Sequence, residues 1–396
     1  MTKTLDDVPV KKVWLAQQAA LMRLQVYATG RVHGVFLRLG QVLRAALLRD
    51  AGEDGKLDGL GLIKAVQSVE AAWRDARLEW YDVFNALRWE AASIPFGTLA
   101  VLHKAQFSNF KFSSEARRGM REAGEEPTFV FRPQLKRVMD AANQRLYADK
   151  LKLSDRIWRL DQESLDGIKR ELYAGVANGD SAWNIAKRGE QYLGAGKECP
   201  RWTSARLYGL TKKDIASGDR TGLYSGDECA GQGVAYNALR MTRTEIQAIH
   251  HIASAEVMGH LPWVSAEQIF LSPAHPVKDE CDDVAGGGEK GDGVYPVGEI
   301  ILPIHPNCLC GSIAVQMPQD EFVDRLRGWM DGTQAWDGMN GYADWIGLSN
   351  VSADRTAIVS LSMIVSVADS LARWLWGDEG ALKSAIRRNL QLDLGF

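Results

Sequence analysis

Residues 236–258 read YNALRMTRTEIQAIHHIASAEVM, and residues 297–315 read VGEIILPIHPNCLCGSIAV. Between them lie WVSAEQIFLSPAHPVKDECDD (263–283) and a glycine-rich loop, AGGGEKGDG (285–293). The first segment predicts a helix that carries Arg240, Arg243, Thr244 and Glu245. The alternating apolar residues around Ile269 and Ile313 predict strands near 267–271 and 311–315. Residues 297–315 read as two short strands around a tight His-Pro-Asn-Cys-Leu-Cys turn. Three of the five cysteines (Cys281, Cys308, Cys310) fall in this stretch, with His275 and His305.

Thiolates and imidazoles are the preferred donors for tetrahedral zinc. On an extended segment, residues two apart face the same side, so Cys308 and Cys310 can address one ion. The Pro306-Asn307 turn brings His305 alongside, and Cys281 arrives across the glycine loop. Cys281, His305, Cys308 and Cys310 therefore form the candidate zinc set. The alternative is that the thiols are simply reduced and packed, or form a redox-dependent pair. Asp279, Asp282 and Asp283 flank Cys281; a hydrolytic metal site would use them as bases, whereas a turn would use them as caps. No H-E-x-x-H or nucleotide-binding glycine pattern accompanies them, so no catalytic residues are assigned. His250, His251, His260 and His275 read as surface or core histidines.

On the predicted helix, Arg243 shares a face with Gln247, and Arg240 with Thr244, because each pair is four residues apart. The expected role of Arg240, Arg243, Thr244 and Glu245 is a buried polar core. In it, charged groups fix the helix against the strands, and Thr244 and Glu245 accept bonds from loop N–H groups.

These features, in this order, resemble the Mu F-type family of phage head morphogenesis (minor head) proteins. The family's C-terminal module pairs an R-T-E helix with a Trp and acidic/Cys segment, a variable polar loop and a closing H-P-x-C-x-C. Here those are Arg243-Thr244-Glu245, Trp263, Asp279 with Cys281, and His305 to Cys310. Val284 stands where the family often carries a second cysteine, and Leu309 where it often carries arginine. The resemblance implies a minor head protein of a tailed phage or prophage. Such a protein is made in the host cytoplasm and retained in the virion head near the portal vertex. Its expected partners are the portal protein and other head proteins, and no enzymatic turnover is expected. The rival readings are a metal-dependent hydrolase or nuclease using the Cys/His/Asp cluster, and a carrier module for a delivered effector; the short stretch after 316 argues against the carrier.

The rest of the chain is ordinary for a globular protein. Of its 396 residues, 46% are hydrophobic and 24% charged, enough for a sizeable core. With 47 basic and 50 acidic residues the net charge is −3, which gives no electrostatic case for sequence-specific DNA binding and leaves only incidental contact with packaged DNA. The start, MTKTLDDVPVKK, has charges but no apolar segment behind them, so no secretory leader is expected. The run TAIVSLSMIVSVADSLARWLW is broken by serines and Asp369, and no membrane partner is expected.

In order, spacing predicts a helix from Val8 to about Asp50, with Leu15, Ala19, Met22, Val26, Val35, Leu39, Val42 and Ala46 on one face and a break near Gly30 or Gly34. A second helix, Leu62 to about Ala92, carries Trp73, Trp80, Phe84, Leu87 and Trp89, and ends at Pro95-Phe96-Gly97. Further helices are expected from Leu135 and after Ser154, with Ser154-Asp155 and Asp161 as caps and Gly175 or Gly179 as the stop. A short helix capped by Asp180 or Ser181 ends at Gly194. After a short helix near 318–330, residues 333–350 read as a turn-rich aromatic linker, followed by an amphipathic helix from Asp354 to Trp376. The predicted class is predominantly helical α+β. Its organisation is an N-terminal helical region (1–107), a connection (108–134), a helical middle (135–235), the α+β module (236–316) and a C-terminal helical appendage (317–396).

Overall fold

The computed structural model describes residues 8–106, 132–147, 150–194, 233–272, 275, 278–306 and 308–345. Residues 108–131 of the connection expected at 108–134, Cys199, Cys229 and the helix expected from Asp354 to Trp376 lie outside the described residues, and 132–134 already belong to a helix. Among those described, the chain is predominantly helical with one small sheet: α1 (Val8–Arg49), α2 (Gly59–Gln106), α3 (Arg132–Gln144), α4 (Leu153–Ala177), α5 (Ala182–Leu193) and α6 (Val234–His260), then β1 (Val264–Phe270), α7 (Glu280–Ala285), β2 (Val294–Tyr295), β3 (Gly311–Gln316), α8 (Gln319–Met330) and α9 (Asp337–Trp345). The strands form an antiparallel sheet in the order β2-β1-β3.

Two apolar cores are strung along α6. Val234, Ala235, Ala238 and Leu239 pack with the C-terminal half of α1, the first half of α2, and α4 and α5. Ile246, Ile249, Ala253 and Val257 pack with the other halves of α1 and α2, with α3, and with α8 and α9. Two thirds of the 27 residues of α6 are buried.

The expected face of α1 is rotated in its first half. Ala19, Met22 and Val26 are only half-buried, whereas Leu21, Leu24, Ala28 and Val32 are buried together with Gln17, Gln25 and Thr29. Periodicity of apolar residues cannot find such a face, because its polar members are made tolerable by partners on α6. The expected break at Gly30 or Gly34 does not occur. A glycine costs a helix only about 1 kcal/mol, and burial on both sides of it exceeds that.

Pro95 likewise does not end α2, which continues to Gln106. Ile94, Phe96, Leu99 and Leu102 are all buried around it, and the Ser93 and Thr98 hydroxyls donate to the Trp89 and Pro95 carbonyls at 2.7 and 2.8 Å. Apolar burial thus overrides the lost backbone bond.

The helical middle is capped in part as the sequence suggests: Ser154 and Gly175 lie inside α4, which follows Lys152 and stops at Asn178, with Gly179 in the left-handed conformation. Asp155 accepts from the Lys152 N–H (2.9 Å) at the start of α4. Ser181 caps α5 by accepting from Asn184 N–H, and Gly194 closes it in the left-handed conformation. Asp161 is not a cap but sits buried within α4, where it accepts from Trp73 Nε1 and Arg77 Nη1, both at 2.7 Å. Gly167 lets α5 approach α4 closely, since a Cβ there would lie 1.7 Å from Tyr192 Oη.

Residues 297–304 are not the strand expected. Val294 and Tyr295 pair with β1 instead, and the chain then turns at Pro296, where Glu299 N–H donates to the Pro296 carbonyl (3.1 Å). The buried carboxylate of Glu267 on β1 accepts from Gly298 N–H (2.9 Å) and pins this turn over the sheet.

The stretch read as an aromatic linker contains α9. Trp336, Met339, Tyr342 and Ala343 recur at helical spacing and are buried. They enclose Trp263, whose ring meets Phe322 edge-on at 5.6 Å and Tyr342 at 5.8 Å, while Trp345 stacks on His260 at 4.6 Å. Residues 319–345 are therefore built into the core around Trp263. Glycines at 338 and 341 mask the helix from local propensity. Among the described residues, no helix is long and apolar enough to cross a membrane.

Replacing Trp263 by Ala is expected to lower the unfolding free energy by about 3–5 kcal/mol. Trp158, exposed at 65%, should change it by less than about 0.5 kcal/mol on the same substitution. Urea titration of the two variants checks the difference.

Candidate metal centre

The centre is assembled where two segments of chain run side by side. Phe270 at the end of β1 pairs with Gly311 at the start of β3. The chain leaving β1 (Leu271, Ser272) therefore lies beside the chain entering β3 (Cys308 to Cys310). His275 N–H donates to the Ser272 carbonyl (2.9 Å), which turns the first segment back toward the second. Cys308 N–H donates to the His305 carbonyl (3.1 Å), closing the tight turn before it.

Cys281 reaches the same place from α7. Asp279 caps that helix, its Oδ1 accepting from Cys281 N–H at 2.8 Å, and Asp282 returns the bond by accepting from Asp279 N–H at 3.0 Å. This reciprocal pair is a capping box and holds the second residue of the helix, Cys281, pointing inward. The glycine loop beyond α7 closes on itself: Gly293 N–H donates to Gly287 O (2.9 Å), and Tyr295 Oη to Val284 O (2.8 Å). Gly288 and Gly293 both have positive φ and press against backbone.

The three thiols are buried, with Leu271 and Ile304 packed on them. Cys281 Sγ and Cys308 Sγ are 3.6 Å apart. Cys310 Sγ stands 3.9 Å from His275 Nδ1. The donors form two overlapping groups that share Cys281: His275, Cys281 and Cys310, and Cys281, His305 and Cys308, each with all ligand atoms within 4.8 Å of one another. The cluster can accordingly hold a metal ion. Cys308 is pushed well below the ordinary thiol value because Cys281 and then Cys310 donate S–H bonds to it; Cys281, a donor in that arrangement, is pushed up. One thiolate is stabilised, and a second beside it is opposed by like charge.

The structure brings together all four residues named from sequence and adds His275, which reads as an unremarkable core histidine in the sequence. The available signal is its position six residues before Cys281, upstream of an acidic helix start. Asp279 and Asp282 are engaged in capping and in contacts with the two histidines, and with His275 they form a third group whose ligand atoms lie within 4.8 Å of one another.

The polar residues of α6 lie differently from expectation. Arg243 is buried and donates from Nη2 to Thr29 Oγ1 (2.8 Å) on α1, not toward the strands. Glu245 is buried and accepts from Arg145 Nη2 (3.1 Å) and from the Tyr147 hydroxyl. Burial and then that carboxylate push the Tyr147 phenol upward. Thr244 donates back to the Arg240 carbonyl at 2.7 Å. Gln247 ties α6 to both sides: it accepts from Gln25 Nε2 (3.0 Å) and donates to the Cys310 carbonyl (2.7 Å) just before β3. A helix buried on several faces sends successive side chains to different neighbours, so residues 243 and 245 part company. His251 Nε2 meets the Ile300 carbonyl (2.7 Å), and His250 faces Gln17 (3.4 Å).

No protein-family model, no curated protein and no solved structure matches this chain.

Burial pushes the His250 imidazole down to about 3 from its ordinary 6.5. Below pH 6.5 the unfolded chain therefore takes up a proton that the folded chain refuses. The stability this neutral ring contributes is complete above that pH and declines as pH falls toward the folded value. The expected loss by about pH 5 is on the order of 2 kcal/mol. Denaturation of wild type and His250→Gln across this range should show a shallower decline in the variant; equal slopes would contradict it.

Proposed function

We propose that this chain is a minor head protein of a tailed phage or prophage, acting without turnover, and that its cysteine cluster holds a structural zinc ion. The observation that carries the reading is the convergence of separated motifs. The Asp279/Cys281 segment and the H-P-x-C-x-C of 305–310, on which the family resemblance rests, meet at one buried group of thiols. Motifs retained for chemistry at a surface would leave their donors accessible; these are covered.

The donor set fits zinc. Three thiols and an imidazole are the composition of closed structural sites, in which four protein donors leave no position for a reacting water. Bound there, the ion supplies Lewis-acid neutralisation of neighbouring thiolates, and its binding free energy becomes folding free energy. The chain's own residues do the remainder: Asp279 and Asp282 fix Cys281, the β1–β3 pairing fixes Cys310, and Gln247 ties the Cys310 carbonyl to α6.

In this reading the module is a rigid element of an assembly surface that meets the portal and other head proteins, near the portal vertex. A net charge of −3 suits protein partners better than wrapped DNA, and any contact with the packaged genome is independent of sequence.

Electron microscopy of intact particles made with this chain is expected to place it in few copies close to the portal, and deleting it should lower the yield of filled heads. Its absence from purified particles would overturn the assignment. Chelator-sensitive hydrolysis of DNA or peptide by the purified chain would favour the metal-dependent hydrolase instead.

A further inference from the structure

The sequence places His305 in the zinc set because it lies three residues from Cys308. The structure offers two imidazoles to the same thiols, and we infer that His275, through Nδ1, is the fourth ligand beside Cys281, Cys308 and Cys310, with Asp282 as its positioning residue and His305 outside the coordination sphere. This deepens the zinc reading and rests on it.

Distance alone does not separate the rings: His275 groups with Cys281 and Cys310, and His305 with Cys281 and Cys308. Their surroundings do. The His275 side chain is 3% exposed, and its Nε2 stands 2.8 Å from Asp282 Oδ2. An ionised carboxylate only accepts, so the ring proton sits on Nε2 and the Nδ1 lone pair faces Cys310. A ligating histidine commonly holds a carboxylate on its other nitrogen, which sets the tautomer and the ring angle. Asp282 is itself held, because the same oxygen accepts the Asp279 N–H.

His305 is 31% exposed along its side chain. Its Nδ1 lies 3.0 Å from the Pro306 carbonyl, and its Nε2 lies 3.2 Å from Asp279 Oδ2 without hydrogen-bond alignment. The ring as a whole lies nearer the rim than that of His275, although its Nε2 is buried, and that nitrogen faces the Asp279 carboxylate.

The spacing also fits. Zinc–sulfur bonds of about 2.3 Å and zinc–nitrogen bonds of about 2.0–2.1 Å in a tetrahedron make edges of roughly 3.5–3.8 Å. The Cys281–Cys308 separation, 3.6 Å, is already such an edge. His275 Nδ1 and Cys310 Sγ, at 3.9 Å, and Cys308, which groups with Cys281 but not with His275, would draw in by small side-chain shifts on binding.

The test uses the full chain, with zinc measured by elemental analysis, affinity by competition with a chromophoric chelator, and the ligand field by cobalt substitution. Wild type and His305→Gln are expected to bind one ion with the same cobalt spectrum and with affinities within about threefold of each other, because only an outer contact is lost. Asp282→Asn should weaken binding about 10–100-fold while keeping the spectrum type. His275→Gln should lose stoichiometric zinc. If that variant fails to fold, His275→Cys decides: it should retain zinc and shift the cobalt bands to those of an all-thiolate site. Loss of metal in His305→Gln, or full retention in His275→Gln, overturns the assignment while leaving zinc itself intact. A wild-type chain that binds no metal removes the zinc reading and this assignment with it.

Discussion

Helix α6 is buried along most of its length and yet carries Arg243, Glu245, Gln247, His250, His251 and Ser254 among its buried residues. Each such group left without a partner would cost about 1–3 kcal/mol, so the surrounding elements are obliged to present complementary atoms. Thr29 and Gln25 do so from α1, Arg145 and Tyr147 from the end of α3, and the Cys310 and Ile300 carbonyls from the sheet side. Gln17 serves Ser254 and Thr98 together, at 2.9 Å each. This requirement explains why α1 buries polar residues on its packed face. It also explains why the cysteine cluster and the N-terminal hairpin are two sides of one structure: Gln247 bonds to both.

The same requirement sets what the sequence could disclose. The limits of α1, the Ser181 and Gly194 caps of α5, and the presence of two strands follow from local patterns; the first strand, expected at 267–271, is found at 264–270, and the second, expected at 311–315, at 311–316. Gathering of Cys281, Cys308 and Cys310 was legible too, because few residue types offer soft donors and these cluster in the chain. What could not be read depends on neighbours distant in sequence. Pro95 stays helical because of what packs around it. Asp161 looks like a cap until Trp73 and Arg77 are seen beside it. Glu245 finds its cation a hundred residues away in Arg145. Helix α9 is hidden by two glycines and stabilised by Trp263. His275 is separated from Cys310 by 35 positions, and only the β1–β3 register brings them together.

The cluster then reads as the last fastening of a short-range structure onto a long-range one. α7, the glycine loop and the tight turn before Cys308 are each closed by their own hydrogen bonds. None of them buries much apolar surface, and segments this small are marginal without a staple. Three thiols held in contact are a poor fastening if neutral and a repulsive one if ionised, whereas a divalent cation turns the same repulsion into cohesion. The proposed head role asks for this kind of rigidity, in a protein that must keep one shape through assembly.

X-ray absorption at the zinc edge of the purified full-length chain tests that account most directly. The account predicts a shell of three sulfurs at about 2.3 Å and one nitrogen at about 2.0–2.1 Å. An edge with no stoichiometric zinc, or a shell dominated by oxygen, would contradict it.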